Sequence, residues 1–259
     1  MSKLQFLSNN LVIENNASFS MEVGTENNLF PLTNLPKKFT TKVFRSNENT
    51  CEIVIDLKQV STLDTVAITG SAIDGMGVTT AAIQLSATPI FTGLPEITLD
   101  ISNDFNIGFK SFTSQVARYV KVNLSHTGSY CELGNIFLGE ADIIQNNSIS
   151  ISSFRYSRMD NSQTVTNNYG QEFTDKRNHQ TQLNGTIQYC NNEELKQIDD
   201  ILLRHIDRTP VWIILDSTSN ITDDGNFRFT GYYSLQRPPQ WSASGYGLFN
   251  ISLQFKQVV

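Results

Sequence analysis

Apolar residues recur at three- and four-residue steps in one stretch of this chain, from Asn191 to Arg208. On a helix the recurring positions share a single face, and they are Leu195, Ile198, Ile201, Leu202 and His205. Asn191 or Asn192 can cap the start of this helix, whereas Pro210 cannot continue it. The pattern therefore predicts one amphipathic helix over residues 191–208.

The residues after this helix follow strand patterns. Val211–Leu215 is a short continuous apolar run, which indicates a buried strand. A second strand is predicted over Phe227–Leu235, and a loop over Arg237–Gly247 follows it. Leu248–Phe255 alternates strictly, with Phe249, Ile251, Leu253 and Phe255 on one side. A helix that leads directly into a buried strand is expected to cover one face of a β-sheet.

Residues 4–142 consist of short alternating runs separated by turn residues, which is typical of a β-sandwich. The predicted strands are Glu52–Leu57, Thr65–Gly70, Ala82–Ala87, Glu96–Ile101, Arg118–Leu124 and Cys131–Gly139. Val120, Val122 and Leu124 are expected on the inner face of their strand, with Tyr119 offset from them.

The polar stretch 142–148 separates two strand-rich halves, so we predict domains over 1–143 and 149–259. In the second half, Tyr169–Tyr189 is predicted as a long hairpin. Its polar centre, Thr174–Gln182, suits either strands with one wet face or a projecting arm. The fold class is therefore mainly β, with two β-sandwich domains and one amphipathic helix packed on the second sheet.

Composition narrows the class of protein. The net charge of −6 argues against a nucleic-acid binder, because such a protein should present a basic face. No apolar run reaches the length of a membrane-spanning helix, and the first ten residues lack the apolar core of a signal peptide. The three cysteines are widely spaced, so we expect reduced structural thiols, with a Cys51–Cys131 disulfide as the alternative.

The sequence contains no recognisable catalytic constellation. His126, His179 and His205 have no metal-like spacing with cysteines or carboxylates, and no carboxylates pair for glycosidase chemistry. Asp216–Gly225 and Asp74–Gly77 are predicted as turns, although a structural calcium at the second remains an alternative. We therefore predict that the chain is not an enzyme and binds neither a cofactor nor a catalytic metal.

A set of ordered motifs in the first half resembles a known fold family. The motifs are Phe44-Arg45-Ser46, Ile53-Val-Ile-Asp-Leu57, Ala117-Arg-Tyr-Val-Lys-Val122 and Glu132-Leu-Gly-Asn-Ile-Phe-Leu-Gly139. They resemble the galactose-binding-like jelly roll of discoidin and coagulation-factor C-type domains. The resemblance implies a binding fold for carbohydrates, lipids or proteins. Its sugar-binding members use loops at one end, which here would offer Phe30, Lys37, Lys38, Phe39 and Asp74–Thr80.

The second half resembles a different family. A strand, a long polar hairpin, one helix, Thr209-Pro-Val-Trp-Ile-Ile-Leu-Asp216, and a final alternating strand follow one another. This order resembles the tail-tube-like β-sandwich of bacteriophage tube, distal-tail and tail-tip proteins. The resemblance implies a ring of identical subunits in which the hairpin extends into the neighbour.

This hypothesis predicts which residues contact the neighbouring subunit. Apolar members of the hairpin would pack on the neighbour, and its charged members would face a wet lumen or rim. Trp241 lies in a loop stiffened by two prolines, where it suits an interface hot spot or folds back on its own sandwich. The candidate interface residues are Phe173, Lys176, Arg177, Leu183, Arg237 and Trp241.

The sequence thus supports two functional hypotheses. In the first, the protein is a structural component of a phage tail or tail tip, made in the host cytoplasm and assembled into the virion. It would form a ring with itself and contact other tail proteins or a host-surface glycan, with no membrane contact and no nucleic-acid contact beyond passage of DNA. In the alternative, it is a carbohydrate-binding adhesion module that oligomerises for avidity.

Overall fold

Antiparallel strands form most of the described chain, so the predicted mainly β, sandwich-like class is confirmed. The structure, a computed structural model, describes residues 4–37, 40–71, 76–103, 106–144, 154–160, 162–167, 169, 171–175, 180–205, 209–215 and 230–258. The strands up to residue 139 are β1 Leu4–Leu7, β2 Ser18–Val23, β3 Phe44–Arg45, β4 Thr50–Thr69, β5 Thr80–Ser86, β6 Ile97–Thr98, β7 Asp100–Ser102, β8 Ile107–Ser125, β9 Glu132–Leu133 and β10 Asn135–Gly139.

The remaining strands follow in the second part of the chain. They are β11 Asp142–Ile144, β12 Arg155–Met159, β13 Gln163–Thr166, β14 Glu172–Asp175, β15 Gln180–Cys190, β16 Val211–Leu215, β17 Gly231–Leu235, β18 Gln240–Gly245 and β19 Leu248–Gln257. The helices are α1 Leu11–Glu14, a short 3₁₀ turn at Leu32–Asn34, and α2 Asn192–Leu203.

The first sheet has seven strands and is built around two very long ones, β4 and β8. Their pairing register shifts between Asp56 and Ser61 and again between Leu63 and Thr65. Side chains from both halves of β4, such as Ile53 and Ile68, meet in one apolar core. The predicted strands Glu52–Leu57 and Thr65–Gly70 are therefore two halves of a single bent strand. Bulges of this kind bend a strand, and here the bend lets both halves of β4 contribute side chains to the same core.

The second sheet has eight strands in the order β11-β1-β16-β17-β19-β15-β12, with β18 paired to β19. Helix α2 covers one face, where Ile198, Ile201 and Leu202 are buried in the same core as Phe255, as predicted. Asn191 caps the helix and forms a capping box with Glu194. The helix ends at Leu203, earlier than the predicted 208, because the His205 N–H bonds the Leu202 carbonyl in a tightened last turn. Residues 206–208 lie outside the described part of the chain.

Both ends of the predicted first domain contribute strands to the second sheet. Leu4–Leu7 lies between β16 and β11, and its register places Leu4 opposite both Leu215 and Ile144. The first and last segments assigned to a domain over 1–143 are thus strands of the second sheet. Residues 8–141 leave that sheet after β1 and return to it at β11. Whether the predicted domains 1–143 and 149–259 fold independently stays a prediction.

A third apolar core joins the two sheets. Ala67, Phe109 and Phe137 contribute from the first sheet, and Trp212 and Tyr232 contribute from the second. The Trp212 and Tyr232 rings lie 5.6 Å apart, centroid to centroid. Alternate residues of β16 face opposite sides, so Val211 and Ile213 enter the helix-covered core while Trp212 and Ile214 enter this one.

The predicted hairpin over Tyr169–Tyr189 is wrong in its pairing. Gln163–Thr166 pairs with Glu172–Asp175 as a separate two-stranded hairpin. Gln180–Cys190 pairs instead with β12 and β19 inside the second sheet. Thr181, Leu183 and Ile187 alternate into the core, so the polar side chains between them occupy the outer face. Of the predicted polar centre Thr174–Gln182, residues 180–182 thus belong to a strand with one wet face, whereas residues 176–179 lie outside the described part of the chain.

Candidate binding site

Four loops, taken here together with the strand residues Arg45, Thr80 and Glu132 at their ends, meet at one end of the first sheet: residues 24–31, 45–49, 76–80 and 126–132. Backbone hydrogen bonds join them, among which the Asn27 N–H donates to the Arg45 carbonyl at 2.9 Å. The Cys131 N–H donates to the Glu48 carbonyl at 3.1 Å, and the His126 N–H donates to the Asn49 carbonyl at 2.8 Å. Loops fixed by backbone bonds hold their side chains in place before any ligand arrives, which lowers the entropic cost of binding.

Arg45 lies at the centre of this loop cluster, between two aromatic rings. Its guanidinium carbon is 4.5 Å from the centroid of the Phe30 ring and 4.2 Å from that of Tyr130. Its Nε donates to Glu132 Oε2 at 2.7 Å, and Nη2 contacts the same oxygen. The ion pair fixes the guanidinium, and the guanidinium in turn orients both rings through cation–π contacts.

Glu132 lies buried beneath the loop cluster. Its side chain is 1% exposed, whereas that of Arg45 is 20% exposed. Gly77 passes directly against it, and a Cβ at this position would lie 2.4 Å from the Glu132 Cβ. Only a residue without a side chain permits that approach, which lets the Glu132 N–H donate to the Gly77 carbonyl at 3.0 Å.

Amide and carboxylate groups surround the aromatic pair. The Thr25 N–H and hydroxyl donate to the Glu48 carboxylate at 2.7 and 3.0 Å. Asn47 Nδ2 donates to Thr25 Oγ1 at 3.0 Å, and Asn27 Nδ2 donates to Asn47 Oδ1 at 3.3 Å. Leu29, at the tip of the adjoining turn, is 81% exposed. The cluster therefore combines half-buried aromatic rings with exposed polar and apolar groups.

The sugar-loop candidates named from the sequence fall in different places. Phe30 belongs to the cluster, as does the described part of Asp74–Thr80. Lys37 instead bonds Asn34 Oδ1 through Nζ at 2.8 Å. Lys38, Phe39 and residues 72–75 lie outside the described residues. Arg45 and Tyr130 were missed as site residues, because Arg45 stood out only as part of a fold motif and Tyr130 belonged to no pattern.

The candidate interface residues also separate. Leu183 is fully buried in the core under α2, so its side chain packs within this chain and the interface assignment is corrected. Arg237 is exposed between β17 and β18. Trp241 is 59% exposed on β18, a strand where a loop was predicted. Of Phe173 only the strand backbone is described, and Lys176 and Arg177 lie outside the described residues.

The three cysteines lie in the protein interior. Cys51, Cys131 and Cys190 are free and buried. The Cys51 thiol donates a hydrogen bond to Cys131, and this bond together with burial raises the pKa of Cys51, so that thiol stays protonated. A protonated buried thiol is a poor nucleophile. Within the described ranges, no three histidine, cysteine or acidic residues are grouped to hold a metal, and no helix is long and apolar enough to span a membrane.

No protein-family model matches this chain, and no curated protein matches its sequence. Among solved structures, the family 32 carbohydrate-binding module of Clostridium perfringens NanJ, in complex with galactose, is 13% identical with a TM-score of 0.42, covering 52% of this chain and 98% of the module. Chitosan-binding module 1 of a chitosanase/glucanase from Paenibacillus sp. IK-5 is 20% identical with a TM-score of 0.42, covering 51% of this chain and 99% of the module. CpGH89CBM32-6 from Clostridium perfringens is 15% identical with a TM-score of 0.41, covering 51% and 99%.

Proposed function

We propose that this protein binds carbohydrate, without catalysing a reaction on it, through the four-loop cluster of the first sheet. The observation that carries the proposal is the Phe30–Arg45–Tyr130 stack, held rigid at the edge of solvent. Sugar rings offer C–H faces that pack on aromatic rings and hydroxyl groups that need donors and acceptors. The amides of Asn27 and Asn47 supply such groups close to the stack.

The carboxylates of the cluster support binding rather than catalysis. Glycoside hydrolysis needs two carboxyl groups that face each other across a cleft. Glu132 is buried and ion-paired with Arg45, and Glu48 accepts two hydrogen bonds from Thr25. Glu26 accepts the Leu32 N–H at 2.9 Å. These three groups are engaged in holding the loops.

A glycan array probed with the whole protein tests the proposal, followed by calorimetric titration of the retained sugar. Tyr130→Ala should weaken that affinity by about tenfold, equivalent to about 1.4 kcal/mol, because it removes one aromatic face. Trp241→Ala is the matched control, since it removes an exposed aromatic residue from the second sheet. Retention of no glycan, or equal loss in both variants, would contradict the proposal.

A structural role in a phage tail or tail tip is the second candidate, and an exposed edge strand favours it. All six residues of Gln240–Gly245 are exposed, and among the described strands only β19 pairs with this one. Unpaired strand edges bind further strands readily. A ring would form when this edge in one subunit meets the neighbouring subunit, with other tail proteins as further partners.

Electron microscopy and sedimentation of the purified protein test this second candidate. Rings or tubes should form, and Trp241→Lys should abolish them because a charge would have to be buried at the contact. Tyr130→Ala, which alters the loop cluster, should assemble normally. A protein that stays monomeric at every concentration, or a Trp241→Lys variant that still assembles, would exclude a ring through this edge.

A further inference from the structure

The four-loop cluster carries an excess of negative charge. Its residues, all of which the structure describes, include the three carboxylates of Glu26, Glu48 and Glu132 and the one guanidinium of Arg45. With His126 counted as neutral, these groups give the cluster a formal charge of −2. Glu26 and Glu48 are exposed, so a ligand that arrives from solvent experiences their charge.

Backbone contacts keep these two exposed carboxylates beside the aromatic stack. Glu26 pairs across an isolated bridge with Ser46, which directly follows the stacked arginine. The Glu48 carbonyl accepts the N–H of Cys131, the residue after Tyr130, at 3.1 Å. Attraction between exposed charges extends over about 8 Å at physiological ionic strength. A ligand packed on the stack is therefore within the electrostatic range of both carboxylates.

Arg45 is the only lysine or arginine in the four loops, and it is already paired. Its Nε donates to Glu132 Oε2 at 2.7 Å, and the Phe30 and Tyr130 rings lie over its guanidinium. A carboxylate or sulfate on a sugar could bind this guanidinium only by displacing Glu132, whose side chain is 1% exposed. Displacement would leave a buried charge unpaired, which is strongly unfavourable. The arrangement therefore disfavours anionic sugars.

The exposed carboxylates have acceptor sites that the protein does not use. Glu48 Oε2 accepts the Thr25 N–H at 2.7 Å, and Oε1 accepts the Thr25 hydroxyl at 3.0 Å. Glu26 Oε2 accepts the Leu32 N–H at 2.9 Å. A carboxylate has about four acceptor sites, so both groups can accept further bonds. Asn47 Nδ2, in contrast, already donates twice, to Thr25 Oγ1 at 3.0 Å and to the Glu26 carbonyl at 3.2 Å.

A protonated amino group fits these acceptor sites better than a metal ion does. A metal ion needs several ligand groups that converge on one point, and within the described ranges no three histidine, cysteine or acidic residues are grouped in this way. An ammonium group donates three N–H bonds and can share them between a carboxylate and water. An amino sugar also supplies a ring whose C–H face packs on an aromatic side chain.

We propose that the loop cluster selects glycans by their charge, an inference that rests on the carbohydrate-binding function proposed above. Sugars with free amino groups bind most tightly, neutral sugars bind less tightly, and sugars with carboxylate or sulfate groups bind least. The amino group meets the exposed carboxylates of Glu26 and Glu48, while the sugar ring packs on Tyr130.

Competition between simple sugars and the glycan retained on the array tests the proposal with the whole protein. The probes form two matched series: glucosamine, glucose and glucuronic acid, and galactosamine, galactose and galacturonic acid. Within each series the ring is constant and the charge changes. The amino sugar should compete about threefold to tenfold more strongly than the neutral sugar, as expected for one or two exposed ion pairs, and the uronic acid should compete more weakly than the neutral sugar.

Salt and single substitutions show whether this preference is electrostatic. Raising the salt concentration from about 20 mM to about 500 mM should shrink the preference, because salt screens exposed charges. Glu48→Gln and Glu26→Gln should each reduce the preference, since each removes one negative charge from the cluster. Asp200→Asn, an equal change of charge at an exposed position of α2, is the matched control and should leave the preference intact.

The outcomes separate this inference from the binding function on which it rests. Equal competition within both series, competition by none of the six sugars, or a preference that salt does not alter would overturn charge selection, while the retained glycan would still support carbohydrate binding. Retention of no glycan on the array would contradict the binding function itself. The comparison of sugars at two salt concentrations on the unaltered protein decides the matter even if a variant fails to fold.

Discussion

On the first sheet, an ion pair between Arg118 and Asp56 contributes to the stability of the fold. Arg118 donates to both carboxylate oxygens of Asp56, at 2.8 and 3.0 Å. This contact, aided by the Lys58 N–H, lowers the pKa of Asp56 from 3.8 to about 2. A carboxylate whose pKa falls on folding contributes stability above its unfolded pKa and loses it as pH drops through the folded value.

We therefore expect Arg118→Gln to lower the free energy of unfolding at pH 7 by only a small amount, since solvent screens this exposed pair. The difference from the unaltered protein should shrink between about pH 4 and pH 2. Urea unfolding at several pH values measures it. Lys110→Gln, at the exposed Lys110–Asp100 pair, is the control, and a pH-independent difference for Arg118→Gln would contradict the assignment.

Neighbouring leucines of α2 test the packing of the helix. Leu202 is fully buried, whereas Leu203 is 51% exposed. Leu202→Ala should lower the free energy of unfolding by about 2–5 kcal/mol through lost burial and a residual cavity. Leu203→Ala should change it by less than about 0.5 kcal/mol. Equal effects in chemical denaturation would mean that the observed helix face does not pack on the sheet.

At the scale of elements, the start of α2 depends on one asparagine. Asn191 Oδ1 accepts from the Glu193 and Glu194 N–H groups, each at 2.9 Å, while Glu194 Oε2 accepts from the Asn191 N–H at 2.8 Å. Asn191→Ala should cost about 1 kcal/mol of stability, and Asn192→Ala should cost much less because Asn192 caps nothing. Thermal unfolding of the two variants compares them, and the reverse order would place the cap one residue later.

Strand β15 and the β13–β14 hairpin should differ in protection from hydrogen exchange. Gln180–Cys190 has a partner strand on each side, whereas Gln163–Thr166, among the strands that the structure describes, pairs only with Glu172–Asp175. Isolated two-stranded hairpins are marginally stable in water. Amides of the central part of β15 should exchange far more slowly than those of the hairpin in dilute protein. Similar rates in both segments would show that the hairpin has a partner in solution.

At the scale of the molecule, the first strand connects the part of the chain that forms the first sheet to the second sheet. The residues of the first core all lie between Leu11 and Leu138, so fragment 8–141 contains that core entire. Fragment 1–142 adds Leu4–Leu7 without its β16 partner, which leaves an apolar strand unpaired. We expect 8–141 to be monomeric in sedimentation and 1–142 to self-associate. A monomeric, equally stable 1–142 would show that β1 does not need the second sheet.

Local patterns were sufficient for several elements. The helix face, the Asn191 cap, the Val211–Leu215 strand and the alternation of Leu248–Phe255 depend on neighbours in sequence, and the structure confirms each of them. The inner positions Val120, Val122 and Leu124 are confirmed in the same way. Periodicity predicts such features because burial of a helix or strand face repeats with the backbone itself.

The sequence patterns did not predict which distant strands pair with each other. Gln180–Cys190 is polar enough to suit an arm, yet its partners β12 and β19 place it in the interior of a sheet. The Gln240–Gly245 strand was predicted as a loop for a similar reason, because it is an exposed edge whose side chains carry no burial pattern. Alternation shows which face of a strand is wet, but it contains no information about which strand lies beside it.

The sequence by itself determined the mainly β class, the single amphipathic helix and the apolar faces that each sheet buries, because these follow from backbone periodicity and side-chain hydrophobicity. Only the tertiary structure decided that Leu4–Leu7 belongs to the second sheet, that Arg45 lies between Phe30 and Tyr130, and that His205 and Trp212 line one cavity. Each of these features joins residues far apart in the chain. Contacts of that kind are selected by the packing of whole sheets, which no local pattern encodes.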